Sequence, residues 1–332
     1  MGVNLDLNEL NKIESLFTSK KIAVIGDMML DVYYWGEVNK VSPEAPVPVV
    51  EVDDDFVRFG GAANVALNIL TLGGKPLAIG VVGNDHDGKT FLELMQNKNL
   101  DSQGIITDST RSTTNKTRVI ADKQHIVRID KESKHFISSE IEKKILDMLT
   151  DKINDIDSII LQDYNKGVLT KNIIEESIKL AKEHNKVITV DPKFINFLKY
   201  KDVTVFKPNK KETENILGMR IISEEDISTA GKKLLELLNA KFVLLTLGEE
   251  GVALFNNDDK EIRIPTKARK ITDVSGAGDT VISTITYALS AGATIEQAAY
   301  IANFAGGLVC QEVGIVPIKK EKLFNSIRAE LK

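Results

Sequence analysis

The run Asp273-Val-Ser-Gly-Ala-Gly-Asp279 combines two things that phosphoryl transfer needs. Gly276 and Gly278 let the backbone turn tightly and let a ligand come close. The segment that follows, 277–291, has the pattern of a helix. The amides of a helix's first turn have no intrahelical acceptor, and the macrodipole adds positive charge, so an anion is favoured there. Asp279 falls in the same turn, where the positive helix end is expected to keep it ionised and so a weak base. A weak base can serve, because a loose phosphoryl-transfer transition state depends more on orienting the attacking hydroxyl than on early proton removal. The plain alternative is a glycine-rich turn with a capping Asp. Gly-x-Gly alone favours that alternative; the seven-residue string is more specific.

This string resembles the late signature, Asp-Thr-x-Gly-Ala-Gly-Asp, of the ribokinase-like (PfkB-type) carbohydrate kinases. The resemblance implies that Asp279 is the catalytic base and that the amides of Gly276, Ala277 and Gly278 form an anion hole. Gly60-Gly-Ala-Ala-Asn64 is similar to the family's early Gly-Gly-x-x-x-Asn run, which places Gly60, Gly61 and Asn64 at the sugar. A close helix–strand contact would explain it equally. Lys207-Pro-Asn-Lys-Lys-Glu212 resembles the Asn-x-x-Glu motif, implying Mg²⁺ held through water by Glu212 and phosphates near Asn209, Lys210 and Lys211. An Asn N-cap with a capping-box Glu is the structural alternative. Thr246-Leu-Gly-Glu-Glu-Gly251 is similar to the family's nucleotide loop, through Thr246, Gly248 and Gly251, though a hairpin turn would look the same. The resemblance also implies that Asn303 lies on a late helix that flanks the adenine in the family.

Segments of the first half resemble one branch of that family, the D-glycero-D-manno-heptose 7-phosphate kinases of lipopolysaccharide precursor synthesis. They are Gly26–Asp31, Ser42–Pro48, Arg58–Asn64, Asp163–Gly167 and Val190–Lys193, and the likeness runs from about residue 20 to 318. It implies ATP and Mg²⁺, a sugar-phosphate acceptor, a 1,7-bisphosphate product, and a stand-alone kinase without a nucleotidyltransferase domain. Asp27 and Asp31 stand at a strand end, where α/β folds bind ligands and carboxylates can hold hydroxyls. A turn with a helix cap is their alternative. Asp163 and Lys166 join the sugar side, and Lys193 the ATP side. Arg118, Arg128 and Lys166 are candidate cations for the sugar's phosphate; arginines on a hairpin can equally be solvated. Phe59, Gln162 and Thr246–Glu250 depart from the heptose pattern. Ribokinase-like or fructokinase-like activity therefore stays open.

Gly83-Asn-Asp-His-Asp-Gly-Lys-Thr90 satisfies the Walker A pattern between a strand and a helix. Asp85 and Asp87 would put two negative charges in a loop meant to wrap phosphates. A P-loop NTPase, with Asp163 ending another strand as its Mg²⁺ aspartate, is the enzymatic rival. A non-catalytic sugar or nucleotide sensor on the kinase fold is the other.

The elements that would position these residues alternate. Strands are expected at 21–27, 76–82, 157–162, 187–191, 203–206 and 241–247. Helices are expected at 6–18, 62–72, 87–98, 170–184, 209–217, 223–239, 277–291, 294–311 and 319–331. This pattern argues an α/β fold, ribokinase-like, with a mostly parallel sheet covered on both faces. Prolines confine 47–53 to an edge. A hairpin about Asp122-Lys123 joins it in a small β lid, with lid segments near 34–58 and 113–130 of one domain spanning 1–332. Edge-exposed lid strands make a homodimer the expected assembly.

The net charge of −5 shows no basic patch, so no nucleic-acid partner is expected. No apolar stretch reaches about 18 residues, and Met1–Asp6 lacks signal-peptide features, so no membrane partner is expected and the cytoplasm is the expected address. Cys310, the only cysteine, reads as a buried small hydrophobe, and the four histidines lack metal-ligand spacing.

Overall fold

The computed structural model describes residues 5–122, 124–258, 260–266 and 273–331; Met1–Asn4 and Lys123 of the expected hairpin turn lie outside the described residues. The strands are β1 (Lys21–Gly26), β2 (Met28–Val41), β3 (Pro48–Gly61), β4 (Lys75–Gly83), β5 (Ile105–Asp108), β6 (Thr114–Ala121), β7 (Gln124–Lys131), β8 (Ser158–Gln162), β9 (Val187–Asp191), β10 (Val205–Phe206), β11 (Phe242–Thr246), β12 (Val252–Asn256) and β13 (Glu261–Ile264). The helices are α1 (Leu7–Leu16), α2 (Ala62–Thr71), α3 (His86–Asn97), α4 (Ser139–Lys152), α5 (Lys171–Glu183), α6 (Lys210–Leu217), α7 (Glu224–Leu238), α8 (Ala277–Ser290), α9 (Ile295–Val309) and α10 (Lys320–Glu330).

Nine strands form one sheet in the order β13-β12-β11-β10-β9-β8-β1-β4-β5. It is parallel from β11 through β5 and antiparallel at β12 and β13. The central strands β1, β8 and β9 are apolar nearly throughout because helices cover both faces. One core layer packs α2, α8, α9 and α10 on the sheet, the other α4, α5 and α7. The strand order reverses at β1, whose neighbours are β8 on one side and β4 on the other. Ligands gather at the carboxyl ends of strands at such a point. Asp27, Gln162 and Asp191 stand there, ending or following β1, β8 and β9.

From Asp27 the chain leaves the main sheet and enters a second, four-stranded sheet, β3-β2-β6-β7. The expected lid strands near 34–58 begin earlier, at Met28, so Asp31 lies inside a lid strand and not at the end of β1. Alternation places Asp31, Arg118 and Arg128 on one face of this sheet, with Asp31 opposite Lys116 and Arg118 opposite Arg128. The other face carries Tyr34, Val127 and Ile129, all exposed. Among the described residues no helix is long and apolar enough to cross a membrane.

Candidate active site

Gly276 caps α8 with φ +78°, a left-handed conformation that glycine adopts without strain. Asp279 is the third residue of the helix and is 2% exposed. Its carboxylate is gripped from three elements. Asn64 Nδ2 of α2 donates to Oδ2 at 2.8 Å, while Gln162 Nε2 at the end of β8 and the Tyr164 hydroxyl donate to Oδ1 at 3.0 and 2.8 Å. Burial nevertheless pushes its pKa up to about 6, with the Asp191 charge adding to the effect and the donors and Lys207 opposing it. The helix end therefore does not fix Asp279 in the ordinary carboxylate range. It is a stronger base than the sequence suggested, though still mostly ionised at neutral pH. A second expectation is also corrected. The amide of Ala277 is taken by the carbonyl of Val274 at 3.2 Å, whereas those of Gly276, Gly278 and Asp279 reach no backbone carbonyl among the described residues.

The α8 tip closes a cavity of about 570 Å³. One wall holds Lys193, Lys207, Asn209, Lys210 and Lys211; another holds Thr246, Gly248 and Gly251; Asn303, Gly306, Gly307 and Cys310 line the far end. Asn209 and Thr246 are brought side by side by a parallel bridge, with the Thr246 amide on the Pro208 carbonyl at 3.0 Å. Asn209 caps α6 and forms a capping box with Glu212, whose other oxygen pairs with Lys193. Asn303 is oriented by the Pro265 carbonyl at 2.9 Å. Cys310, expected to be buried among its apolar neighbours, is only half-buried because it borders the cavity.

On the lid side, Asp31 is 2% exposed and accepts from Arg118. Gly60 lies against it: a Cβ there would stand 2.1 Å from Asp31 Oδ2, so any side chain would push the Asp31 carboxylate aside. The Gly61 turn is fixed by the Ala62 amide on the Asp27 carbonyl at 3.0 Å.

Four residues expected on the sugar side are engaged by other partners in this geometry. Asp27 is 1% exposed, and its oxygens accept from the amides of Tyr164, Lys166 and Val168 at 2.8, 3.1 and 3.1 Å, so it anchors a loop and does not face a sugar. Asp163 is buried beneath that loop on Tyr200, Asn196 and the Asn165 amide, and burial with the nearby Asp27 charge pushes its pKa up to about 6. Arg128 is an exposed lid arginine engaged with Asp130 at 2.8 Å. Lys166 pairs with Glu132 at 2.6 Å. The cation that sequence reasoning missed on this side is Lys116. It is half-buried, its ammonium lies 5.4 Å from the Tyr164 ring centroid, and among the described residues no carboxylate forms an ion pair with it. Gln162 and Tyr164 were missed as Asp279 contacts because they come from a different strand end, with no spacing signal linking them to 279.

The Walker-like segment is a helix start, not a phosphate loop. Asp85 caps α3, accepting from Gly88 N at 2.9 Å and Thr113 Oγ1 at 2.7 Å. Burial opposes its ionisation, but Thr113, Gly88 and Lys131 win and bring its pKa down to about 2. A fixed carboxylate thus occupies the place a phosphate would need.

A family model described as pfkB family carbohydrate kinase matches residues 19–321. The chain is 42% identical over 309 residues to the bifunctional protein HldE of Desulfatibacillum aliphaticivorans, covering 93% of this chain and 63% of that protein. It is 43% identical over 295 residues to the bifunctional protein HldE of Helicobacter pylori (strain HPAG1), covering 89% and 64%. The chain thus spans less than two thirds of the length of these relatives. Among solved structures, the tetrameric inhibited form of phosphofructokinase-2 from Escherichia coli superposes with a TM-score of 0.75 at 17% identity, covering 95% of this chain and 99% of that one. Arabidopsis thaliana ribokinase complexed with ribose and ATP gives 0.72 at 20% identity, covering 93% and 98%. These structural likenesses establish the ribokinase-like fold, and the family match, with its motifs meeting around one buried carboxylate, establishes that the chain belongs to the pfkB family of carbohydrate kinases.

Proposed function

We propose that the chain transfers the γ-phosphoryl group of ATP to the anomeric hydroxyl of D-glycero-D-manno-heptose 7-phosphate, giving the 1,7-bisphosphate, a step of lipopolysaccharide precursor synthesis. The observation that carries the reading is the position of Asp279. It lines the cavity with the α8 amides, and its partner Tyr164 packs under Lys116 of the lid face. Family membership implies ATP as the donor. The heptose comes from the motifs at 26–31, 42–48 and 58–64 and from the similarity to the bifunctional HldE proteins.

In this reading the phosphates of ATP lie along Asn209–Lys211 and Thr246–Gly251, with the adenine near Asn303. The γ-phosphoryl rests on the amides of Gly276, Gly278 and Asp279. The sugar ring packs beneath the lid at Asp31, Gly60 and Asn64, and its phosphate meets the ammonium of Lys116. Asp279 aligns the anomeric hydroxyl and takes its proton as the new O–P bond forms and the bond to ADP breaks. The free amides hold the developing charge.

Mg²⁺ keeps several waters and is held mainly by substrate phosphates. Glu212, with its side chain 15% exposed beside the cavity, would hold it through water. Bound there, it would neutralise charge between the phosphates. The exposed lid face with Tyr34, Val127 and Ile129 supports a homodimer, and light scattering of the purified protein tests it.

The direct test is to mix the protein with ATP, Mg²⁺ and each of heptose 7-phosphate, ribose, fructose and fructose 6-phosphate, and to measure ADP. Heptose 7-phosphate is expected to give the highest kcat/KM. ADP release with no sugar of the panel overturns the proposal; preference for ribose or fructose moves it to another sugar kinase.

A further inference from the structure

Lys207 belongs to a motif whose Asn and Glu carry the family resemblance, but the lysine itself has no role in the mechanism above. It follows the short strand β10 and is 3% exposed, so its ammonium is almost fully removed from bulk water. Among the described residues its one ion-pair partner is Asp191 at the end of β9, with Nζ 3.1 Å from Oδ2. An ammonium has three donors, so this contact leaves capacity unused. The residue also lines the cavity closed by the α8 tip. A Cβ placed on Gly278 would lie 3.6 Å from both Lys207 Nζ and Asp191 Oδ2, which puts the ion pair directly beside the glycine whose amide is free.

Asp191 is itself held in place. Gln162 Nε2 donates to Asp191 Oδ2 at 3.2 Å and to Asp279 Oδ1 at 3.0 Å, so one side chain spans both carboxylates. Burial works against ionising Asp191, and Lys207 and Lys193 override it. A buried cation is costly unless paired. One carboxylate stabilises Lys207, and its ammonium lines the same cavity as Gly278 and Asp279 with donor capacity to spare.

We propose that Lys207 is a catalytic residue for phosphoryl transfer, its ammonium contacting the oxygens of the phosphoryl group as it moves from ADP to the acceptor. The role rests on the kinase reading above. The ammonium donates hydrogen bonds only: the acceptor oxygen bonds to phosphorus, the bond to the ADP oxygen breaks, and the acceptor proton goes to Asp279. Asp191 is a positioning residue that holds the ammonium. The gain comes at the transition state, where charge spreads over the transferring oxygens in a water-poor site. ADP, lacking the transferred group, makes no such contact.

The test compares wild type with Lys207→Met and with the double variant Lys207→Met/Asp191→Asn, which removes both charges and leaves no buried unpaired carboxylate. Turnover with heptose 7-phosphate is measured alongside binding of ADP and of ADP with aluminium fluoride and sugar, a mimic of the transition state. Both variants are expected to bind ADP within about threefold of wild type. They should lose about 100-fold or more in kcat and in binding of the fluoride complex, the scale of removing one preorganised donor. A variant that binds ADP normally and turns over within about threefold of active wild type overturns the role and leaves the kinase reading standing. So does a variant whose ADP affinity falls as far as its kcat, since a merely structural residue behaves that way. Wild type that releases no ADP with any sugar overturns both.

Discussion

Asn64 Nδ2 lies 2.8 Å from Asp279 Oδ2, although 215 residues separate them in the chain. The contact joins the early glycine-rich motif to the late one, because α2 and α8 pack side by side on the sheet. Asn64 holds the ionised form of Asp279, since an N–H donor stabilises a carboxylate more than a carboxylic acid. Asn64→Ala should therefore raise the Asp279 pKa above its value of about 6. A hydrogen bond to a charged group is worth about 1.5–3 kcal/mol, or roughly one to two pH units. The acid limb of the kcat/KM–pH profile should move upward by about that much. An unmoved limb would mean that Asn64 serves only the sugar.

In wild type, kcat/KM should fall tenfold per unit below about pH 6, where Asp279 takes up a proton. Asp279→Asn should lose at least about 100-fold in turnover and show no such limb. A variant with near-normal rate would remove Asp279 from the role of base.

The same carboxyl sets a stability trend. Its folded pKa is raised above the unfolded value, so its contribution to stability is full below about pH 4 and is lost as pH rises through about 6. Asp279→Asn removes that loss, and the Asn64 amide can reverse to face the new side chain. The variant should be more stable than wild type at pH 7.5, by about 3 kcal/mol from a shift of about two pH units, with the difference closing near pH 4. Thermal unfolding at both pH values checks this. A wild type that is the more stable at pH 7.5 would show that the three donors to Asp279 outweigh its burial.

Much of this arrangement was legible in the sequence, and the losses have one cause. Strand β9 (Val187–Asp191) lies where the apolar run placed it, and α8 begins at Ala277 as the glycine pattern required. The glycine and Asn motifs announce themselves through backbone demands that only a few residue types meet. Carboxylates do not: Asp27, Asp31 and Asp163 look alike in sequence, and only the tertiary structure decides which is buried on backbone amides and which faces the lid. The first part of strand β2 was missed for a related reason. Met28–Asp31 reads as a motif, and its extended form is fixed by pairing with β3 and β6. Helix α4 has a Ser138 cap and an Ile141–Ile145–Leu149 stripe, signals that were present and overlooked.

Lys89→Ala should leave sugar phosphorylation within about twofold of wild type, because Lys89 is exposed and Asp85 fills the place of a phosphate. Asp85→Ala should instead cost about 1–2 kcal/mol of stability through loss of the α3 cap. Loss of ATP binding in Lys89→Ala would reinstate the phosphate-loop alternative.

Lys116 gives a test of substrate choice. Arg118 is held by Asp31, Lys166 by Glu132, Arg128 by Asp130 and Arg58 by the carbonyls of Val313 and Ile315, whereas among the described residues Lys116 has no ion-pair partner. Burial holds its ammonium below the usual lysine value, against the attraction of Asp31, so an incoming dianion would strengthen its charge. Lys116→Ala should raise KM for heptose 7-phosphate by about 10- to 100-fold, the worth of one charge-assisted contact at about 1.5–3 kcal/mol. The KM for ATP should stay within about twofold. With the heptose lacking its phosphate, the variant and wild type should behave alike, because the lost contact is then absent from both. An equal loss on both sugars would place Lys116 against the sugar ring or the lid framework, and the phosphate would have to be held elsewhere.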